Sequence, residues 1–413
     1  MDQVSSLDKT LVLPMAFLLA ALLILLSGQA AADQAVVPAT VVVVFDRDTI
    51  SPVVIEGYGN RTTGRKVQAN DPVRIASISK LLMALTALRL VDEGRLGLHE
   101  DISTYLDWPV RSPHFPNAPV TLAQLLSHRA GLNDAGGYVI PLGESLRERL
   151  DNPLAWSSEA PPGAARFEYA NLGAPVIATV LEAVTNESYD QLVQQMLFVP
   201  LKIEACLNWL GCDEKQQANA VVLYRDTGDI ARDDPADLPP NCTIPVAEGS
   251  ACDLGDYVPG TNASVFSPQG GVRIGMVDLA RLGQMLLNLE SNTFLSPAMR
   301  ASLLDETIGQ APGEAFFCTY GLGIQRIEVA GRPCDDALFA DGVSRWGHAG
   351  EAYGLRAGLW FDVVAGRGVA YFTTAVPDRV GPEDEGGFHE RELALMARLL
   401  RPAASPRADQ NRN

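Results

Sequence analysis

The hydrophobic pattern opens with one uncharged block. From Thr10 to Ala32 there is no charged residue, and Leu11 to Leu26 is almost wholly apolar around Pro14. This reads as a secretory h-region, with Ala30 and Ala32 as the small residues of an Ala-x-Ala cleavage site. Residues 1–32 are therefore expected to form a signal peptide, and the mature chain to start at Asp33. An uncleaved anchor is the alternative, because Lys9 is the only basic residue ahead of the block and Asp2 and Asp8 oppose it. After residue 32 no stretch reaches the roughly 18 uncharged apolar residues that a spanning helix needs.

The periodicity then changes along the chain. TVVVVF at 40–45 and PVVIEGY at 52–58 are β-branched runs around an Asp-containing turn, which predicts a hairpin. Ser77 to Glu93 has apolar residues on nearly every side and Gly94 at the capping position, which predicts a buried helix. Between about 95 and 265, short helical stretches alternate with Pro- and Gly-rich loops, and the only strand-like run is 220–224. DLARLGQMLLNL from Asp278 predicts a helix. Strand-like runs follow at 320–329, 356–363 and 368–375, then a terminal helix to about Leu400, and the tail 402–413 is expected to be disordered.

Strand signal at both ends and helical signal between them predict an α/β (α+β) fold: an antiparallel sheet flanked by helices, formed by both chain ends, with an inserted, mainly helical lobe. The mature domain would run over 33–401, with a sheet lobe at about 33–95 and 266–401 and a helical lobe at about 96–265.

Composition narrows the function. With 47% hydrophobic and 20% charged residues among 413, the chain can bury a large core, and disorder as its main state is excluded. The 32 Lys+Arg against 50 Asp+Glu give a net charge of -18, which repels nucleic acid. Cys206, Cys212, Cys242, Cys252, Cys318 and Cys334 suit an oxidising compartment, and sequential pairing is the simplest of their combinations because each pair is close in sequence. Five His without ligand spacing and no Gly-x-x-x-x-Gly-Lys-Ser/Thr run give no reason to expect a metal or a cofactor.

Three short constellations carry candidate chemistry. Ser77-Ile78-Ser79-Lys80 puts a hydroxyl and an amine on one helix face, near N–H groups able to hold an oxyanion. The surrounding apolar run disfavours the Lys80 ammonium, so the amine can serve as a base. The tetrapeptide is weak alone: Ser6-Leu7-Asp8-Lys9 matches equally well. Tyr169-Ala170-Asn171 offers a phenol that can relay a proton and an amide that can hold a substrate carbonyl and the lysine. His348-Ala349-Gly350 begins a strand-like run in which Gly350 permits close backbone approach, with the Glu351 N–H as a second oxyanion donor.

In this order, and with RIASISK, LLSHRAGL (125–132), PPGAARFEYANLG, SPQGGVRIGMVDLARLGQMLL and Tyr320-Gly321-Leu322-Gly323, the chain resembles the penicillin-binding serine hydrolases close to class C β-lactamases. That group includes D-stereospecific peptidases and esterases. The resemblance spans about 40–375 and implies Ser77 as nucleophile, Lys80 and Tyr169 as base and acid, Asn171 as an orienting group, and His348, Gly350 and Glu351 beside the substrate.

One departure matters: no lysine follows Lys215, so the Lys-Thr-Gly strand that many members carry is absent. Arg345 is one replacement for that charge. Glu204-Ala205-Cys206-Leu207-Asn208 also matches the deacylating motif of class A enzymes, a weaker assignment.

The expectation is a periplasmic or secreted serine hydrolase acting through an acyl-enzyme on an ester, an amide or a short D-amino-acid peptide. The alternatives are a class C-like β-lactamase or D-Ala-D-Ala carboxypeptidase, and a non-catalytic sensor. Its partners would be a small-molecule or short-peptide substrate, with no nucleic acid, and a membrane only if the N-terminal segment stays uncleaved.

Overall fold

The computed structural model describes residues 37–400 except 165, 238–241, 306–308, 311–315, 333 and 378–386. The block 1–32, expected to be a signal peptide, and the 402–413 tail, expected to be disordered, lie outside the described residues. Among the described residues, no helix is long and apolar enough to cross a membrane.

Along the chain come strands β1 (Thr40–Asp46), β2 (Ile50–Glu56), β3 (Val73–Arg74), β4 (Ala205–Leu207), β5 (Val272–Ile274), β6 (Gly309–Gln310), β7 (Thr319–Tyr320), β8 (Gln325–Ile327), β9 (Arg345–Ala352), β10 (Leu355–Asp362) and β11 (Arg367–Thr373). The helices that matter for the site are α1 (Ser79–Asp92), α2 (Gly173–Thr185), α3 (Met276–Leu287) and α4 (Glu390–Leu400).

The uninterrupted valines of β1 follow from its position. It pairs antiparallel with β11 on one side and β2 on the other, inside an eight-stranded sheet ordered β6-β7-β8-β9-β10-β11-β1-β2. Val41 and Val43 enter the main core with Leu282 and Leu286 of α3, whereas Val42 packs with Trp360, Tyr371 and Met396 of α4 on the opposite face. A strand covered on both faces has no use for polar alternation. Both chain ends thus build one antiparallel sheet flanked by helices, as the distribution of strand signal predicts.

Helix α1 lies in the main core, and eleven of its fourteen residues are buried. Its end is set by Gly94, whose φ of +69° lets the Gly94 N–H donate to Val91 and the Arg95 N–H to Leu90. Among the described residues of 96–265, short helices and loops surround α2. One small ladder was not visible as a strand pattern, β4 joining β3 and β5 in the order β3-β5-β4, whereas the strand-like run 220–224 contains the strand Leu223–Tyr224, which pairs with Ile230–Arg232. Strands of two or three residues are too short to show a period.

Three disulfides join Cys206–Cys212, Cys242–Cys252 and Cys318–Cys334, the sequential pairing, and no described cysteine is free.

Candidate active site

Ser77 sits in a 3-10 turn, Ala76–Ile78, and α1 begins at Ser79, two residues later than the predicted start at Ser77. The small β3-β5-β4 sheet holds this turn: the Ile75 N–H donates to the Val272 carbonyl at 3.2 Å, and the Val272 N–H donates to Ser79 Oγ at 3.2 Å. Ala76 has φ of +47°, a left-handed conformation that costs a non-glycine residue about 1 kcal/mol or more. Strain therefore lies next to the candidate nucleophile.

On the other side the turn lies against β9. A Cβ on Gly350 would stand 2.3 Å from the Ile75 carbonyl oxygen, so only glycine lets the Ser77 turn seat on the strand. The close approach that the sequence assigned to a substrate is first used by the chain itself.

Lys80, one turn after Ser77, is 2% exposed. Its Nζ lies 3.0 Å from Ser77 Oγ, 2.8 Å from Asn171 Oδ1 and 3.2 Å from the Gln269 carbonyl oxygen. Burial pulls its pKa from 10.5 down to about 7, against a smaller opposing effect of the Asp134 charge. The contacts suit a neutral amine: two N–H bonds satisfy the two carbonyl acceptors, and the lone pair is left for the Ser77 hydroxyl proton.

Asp134 fixes the Tyr169-Ala170-Asn171 turn ahead of α2. Its carboxylate accepts the Asn171 N–H (3.0 Å), the Asn171 Nδ2–H (2.8 Å) and the Leu172 N–H (3.0 Å). One amide N–H of Asn171 is thereby committed to Asp134 and its oxygen to Lys80.

The Tyr169 hydroxyl is buried and close enough to Ser77 for the serine to favour its ionised form, yet it forms no completed hydrogen bond. Burial dominates and raises its pKa above 10, so the phenol keeps its proton at rest.

Rings enclose Tyr169. Phe317 stacks on it with centroids 4.2 Å apart and planes at 3°, His128 lies 4.4 Å away, and Tyr320 and His348 are each at 6.2 Å. His128 also accepts the Ala170 N–H on Nδ1 at 3.2 Å. Burial, then the nearby Lys80 charge, keeps both histidines neutral, His348 with a pKa lowered to about 3.

A cavity of about 760 Å³ opens in front of this cluster. Ser77, Tyr169, Asn171, Gly350 and Glu351 are on its wall. His348 is not. It is fully buried, with Nε2 2.9 Å from the Tyr320 hydroxyl, so its ring backs the site while the strand beside it faces the cavity. The cavity-side edge of β9 is open because β8 pairs only with Arg345 to Gly347, leaving 348–352 without that neighbour. The strand then turns at Tyr353-Gly354, both with positive φ, into β10.

Glu351 is paired with Arg356, and Arg345 with Asp341 at 2.7 Å. Arg345 is therefore not the replacement for the missing lysine. The cations on the cavity wall are Arg74, Arg232 and Arg356. Glu204 is exposed and absent from that wall, which removes the structural basis for a deacylating role. Among the described residues, no group of His, Cys, Asp or Glu is arranged to hold a metal.

Sequence reasoning assigned no role to His128, Asp134, Gln269 or Phe317. His128 and Gln269 lie inside segments that stood out, but no spacing rule marks what a side chain or a carbonyl does across the fold.

The family profile described as Beta-lactamase matches residues 11–388. The D-alanyl-D-alanine-carboxypeptidase/endopeptidase AmpH of Escherichia coli (strain K12) is 29% identical over 158 residues, 36% of this chain and 40% of AmpH. The chain thus matches less than half the length of that relative. Penicillin-binding protein 4 of Amycolatopsis lactamdurans is 24% identical over 321 residues, 76% of this chain and 74% of that protein. Among solved structures, the β-lactamase/D-alanine carboxypeptidase of Pseudomonas syringae superposes with a TM-score of 0.60 at 18% identity, covering 92% of this chain and 99% of the other.

Proposed function

The chain belongs to the β-lactamase family, and we propose that it is an exported serine hydrolase working through an acyl-enzyme on an ester, an amide or a short D-amino-acid peptide. One observation carries the reading. A buried amine with a pKa near 7 rests 3.0 Å from a serine hydroxyl on a cavity wall, with its two other contacts both acceptors.

In this mechanism neutral Lys80 takes the Ser77 proton as Oγ attacks the substrate carbonyl. The Ser77 and Glu351 backbone N–H groups are the proposed holders of the oxyanion. Tyr169, still protonated, gives its proton to the leaving group and is restored by the Lys80 ammonium. Asn171, fixed by Asp134, keeps the amine aimed. Water then attacks the acyl carbonyl, its proton taken up by the same pair, and Ser77 is released. His348 acts from behind the wall by supporting Tyr320.

A peptide or ester laid along the open edge of β9 would use main-chain hydrogen bonds that do not depend on a Lys-Thr-Gly lysine. The absence of that lysine argues for esters and D-amino-acid peptides over β-lactams. The three disulfides support export, since such bonds persist in oxidising compartments.

The test is a hydrolysis panel of short-chain esters, D-amino-acid amides and dipeptides, and a penicillin, each with wild type and Ser77→Ala. Ester or D-amide turnover that disappears in the variant is expected. Penicillin hydrolysis at a kcat/KM above that of every ester and amide would overturn the substrate assignment.

A further inference from the structure

Of the described rings in contact with Tyr169, Phe317 alone also forms part of the cavity wall; His128, Tyr320 and His348 are absent from it. Its near-parallel stack at 4.2 Å is the closest ring contact that Tyr169 makes.

The backbone around Phe317 is tied on both sides. The Phe316 carbonyl accepts the Gln325 Nε2–H at 3.0 Å, and Cys318 is crosslinked to Cys334. Two anchors thus bracket the one ring among the described residues that both stacks on Tyr169 and faces the cavity. The phenol gains from such support: its hydroxyl lies close to Ser77 without completing a hydrogen bond. Without one, the direction of its O–H depends on where the ring is packed.

We propose that Phe317, pinned by the Cys318–Cys334 disulfide, is a positioning residue that aims the Tyr169 hydroxyl at the leaving group. The inference rests on the acyl-enzyme reading above.

The step it serves is collapse of the tetrahedral adduct. The oxyanion electron pair re-forms the carbonyl and the bond to the leaving oxygen or nitrogen breaks. That atom takes the Tyr169 proton, and the phenolate takes a proton from the Lys80 ammonium formed when Ser77 attacked. A nitrophenolate departs without needing the proton, whereas an alkoxide or amine cannot leave without it. Misplacing Tyr169 therefore penalises poor leaving groups selectively. A general loosening of the site would slow both kinds alike.

The test measures kcat/KM, which reports acylation, for a nitrophenyl ester and an alkyl ester of one acid. Phe317→Leu removes the stacked ring. It is expected to lose about tenfold or more further on the alkyl ester than on the nitrophenyl ester. Phe317→Tyr keeps a ring and is expected to restore the alkyl-ester rate.

Replacing Cys318 and Cys334 together by Ser should reproduce the selectivity of Phe317→Leu. Adding Phe317→Leu to that pair should cost little more, since the crosslink acts through the ring.

Equal losses on both esters in Phe317→Leu, or no loss on the alkyl ester, would overturn the proposal. Failure of the wild type to hydrolyse either ester or to form an adduct at Ser77 would overturn the hydrolase reading beneath it, a result separable from the first.

Discussion

Lys80 offers a test that needs no substrate. In an unfolded chain its ammonium titrates near 10.5; in the fold, burial lowers this to about 7. Between these values the unfolded state binds one more proton than the native state, so stability must rise with pH across that window. The full difference corresponds to about 5 kcal/mol, at about 1.4 kcal/mol per pH unit. Below pH 7 both states are protonated and the native state bears the whole penalty of a buried ammonium. Above about 10.5 both are neutral and the penalty is gone.

Other groups titrate too, so the useful quantity is a difference. Lys80→Met removes the titrating amine and retains the rest. Urea unfolding of both proteins at steps from pH 7 to pH 9.5, disulfides intact, should show wild type gaining on the variant by about 1 kcal/mol or more per pH unit. The variant's own stability relative to wild type does not decide the matter, because Asn171 Oδ1 and the Gln269 carbonyl lose a donor. Parallel pH dependences would refute the reasoning, since they would mean that Lys80 keeps its proton in the native state and is not a resting base.

Three further outcomes follow from the geometry. The rate of Ser77 acylation should rise with pH to a plateau above about 7, tenfold per unit on the lower limb, as Lys80 loses its proton; a limb near 10 would exclude the amine as base. Asp134→Asn removes the charge that favours the ammonium, so the same limb should move to lower pH, whereas an upward move would contradict the assigned sign. Gly350→Ala pushes a Cβ to 2.3 Å from the Ile75 carbonyl. Displacing the Ser77 turn should cut acylation by about 100-fold with a stability loss of about 1–3 kcal/mol, measured by adduct formation and thermal unfolding.

Legibility in the sequence followed the length of the signal. Helix α1 and the sheet of both chain ends were readable because long apolar runs carry a period and Gly94 marks a stop. The strands β3, β4 and β5, which seat the Ser77 turn, were not, because two or three residues show no alternation. Ser77, Lys80, Tyr169 and Asn171 were legible as types at spacings, and the fold brings all four to one cluster. His348 marked the right strand, but its ring is fully buried against the Tyr320 hydroxyl behind the cavity wall.

What the sequence could not show was support supplied across the fold. Asp134 lies 37 residues from Asn171 and acts as a triple acceptor; Gln269 contributes only its carbonyl, which every residue has. The resting proton state of the pair was likewise not legible for Tyr169: the same burial that lowers the Lys80 pKa raises that of Tyr169, leaving a neutral amine and a neutral phenol.

The central claim is that Ser77 is an activated nucleophile, and the most direct measurement is intact mass after exposure to a fluorophosphonate, with Ser77→Ala alongside. The account predicts one covalent adduct on wild type and none on the variant. An unmodified, correctly folded wild type, or an adduct that persists in Ser77→Ala, would contradict it.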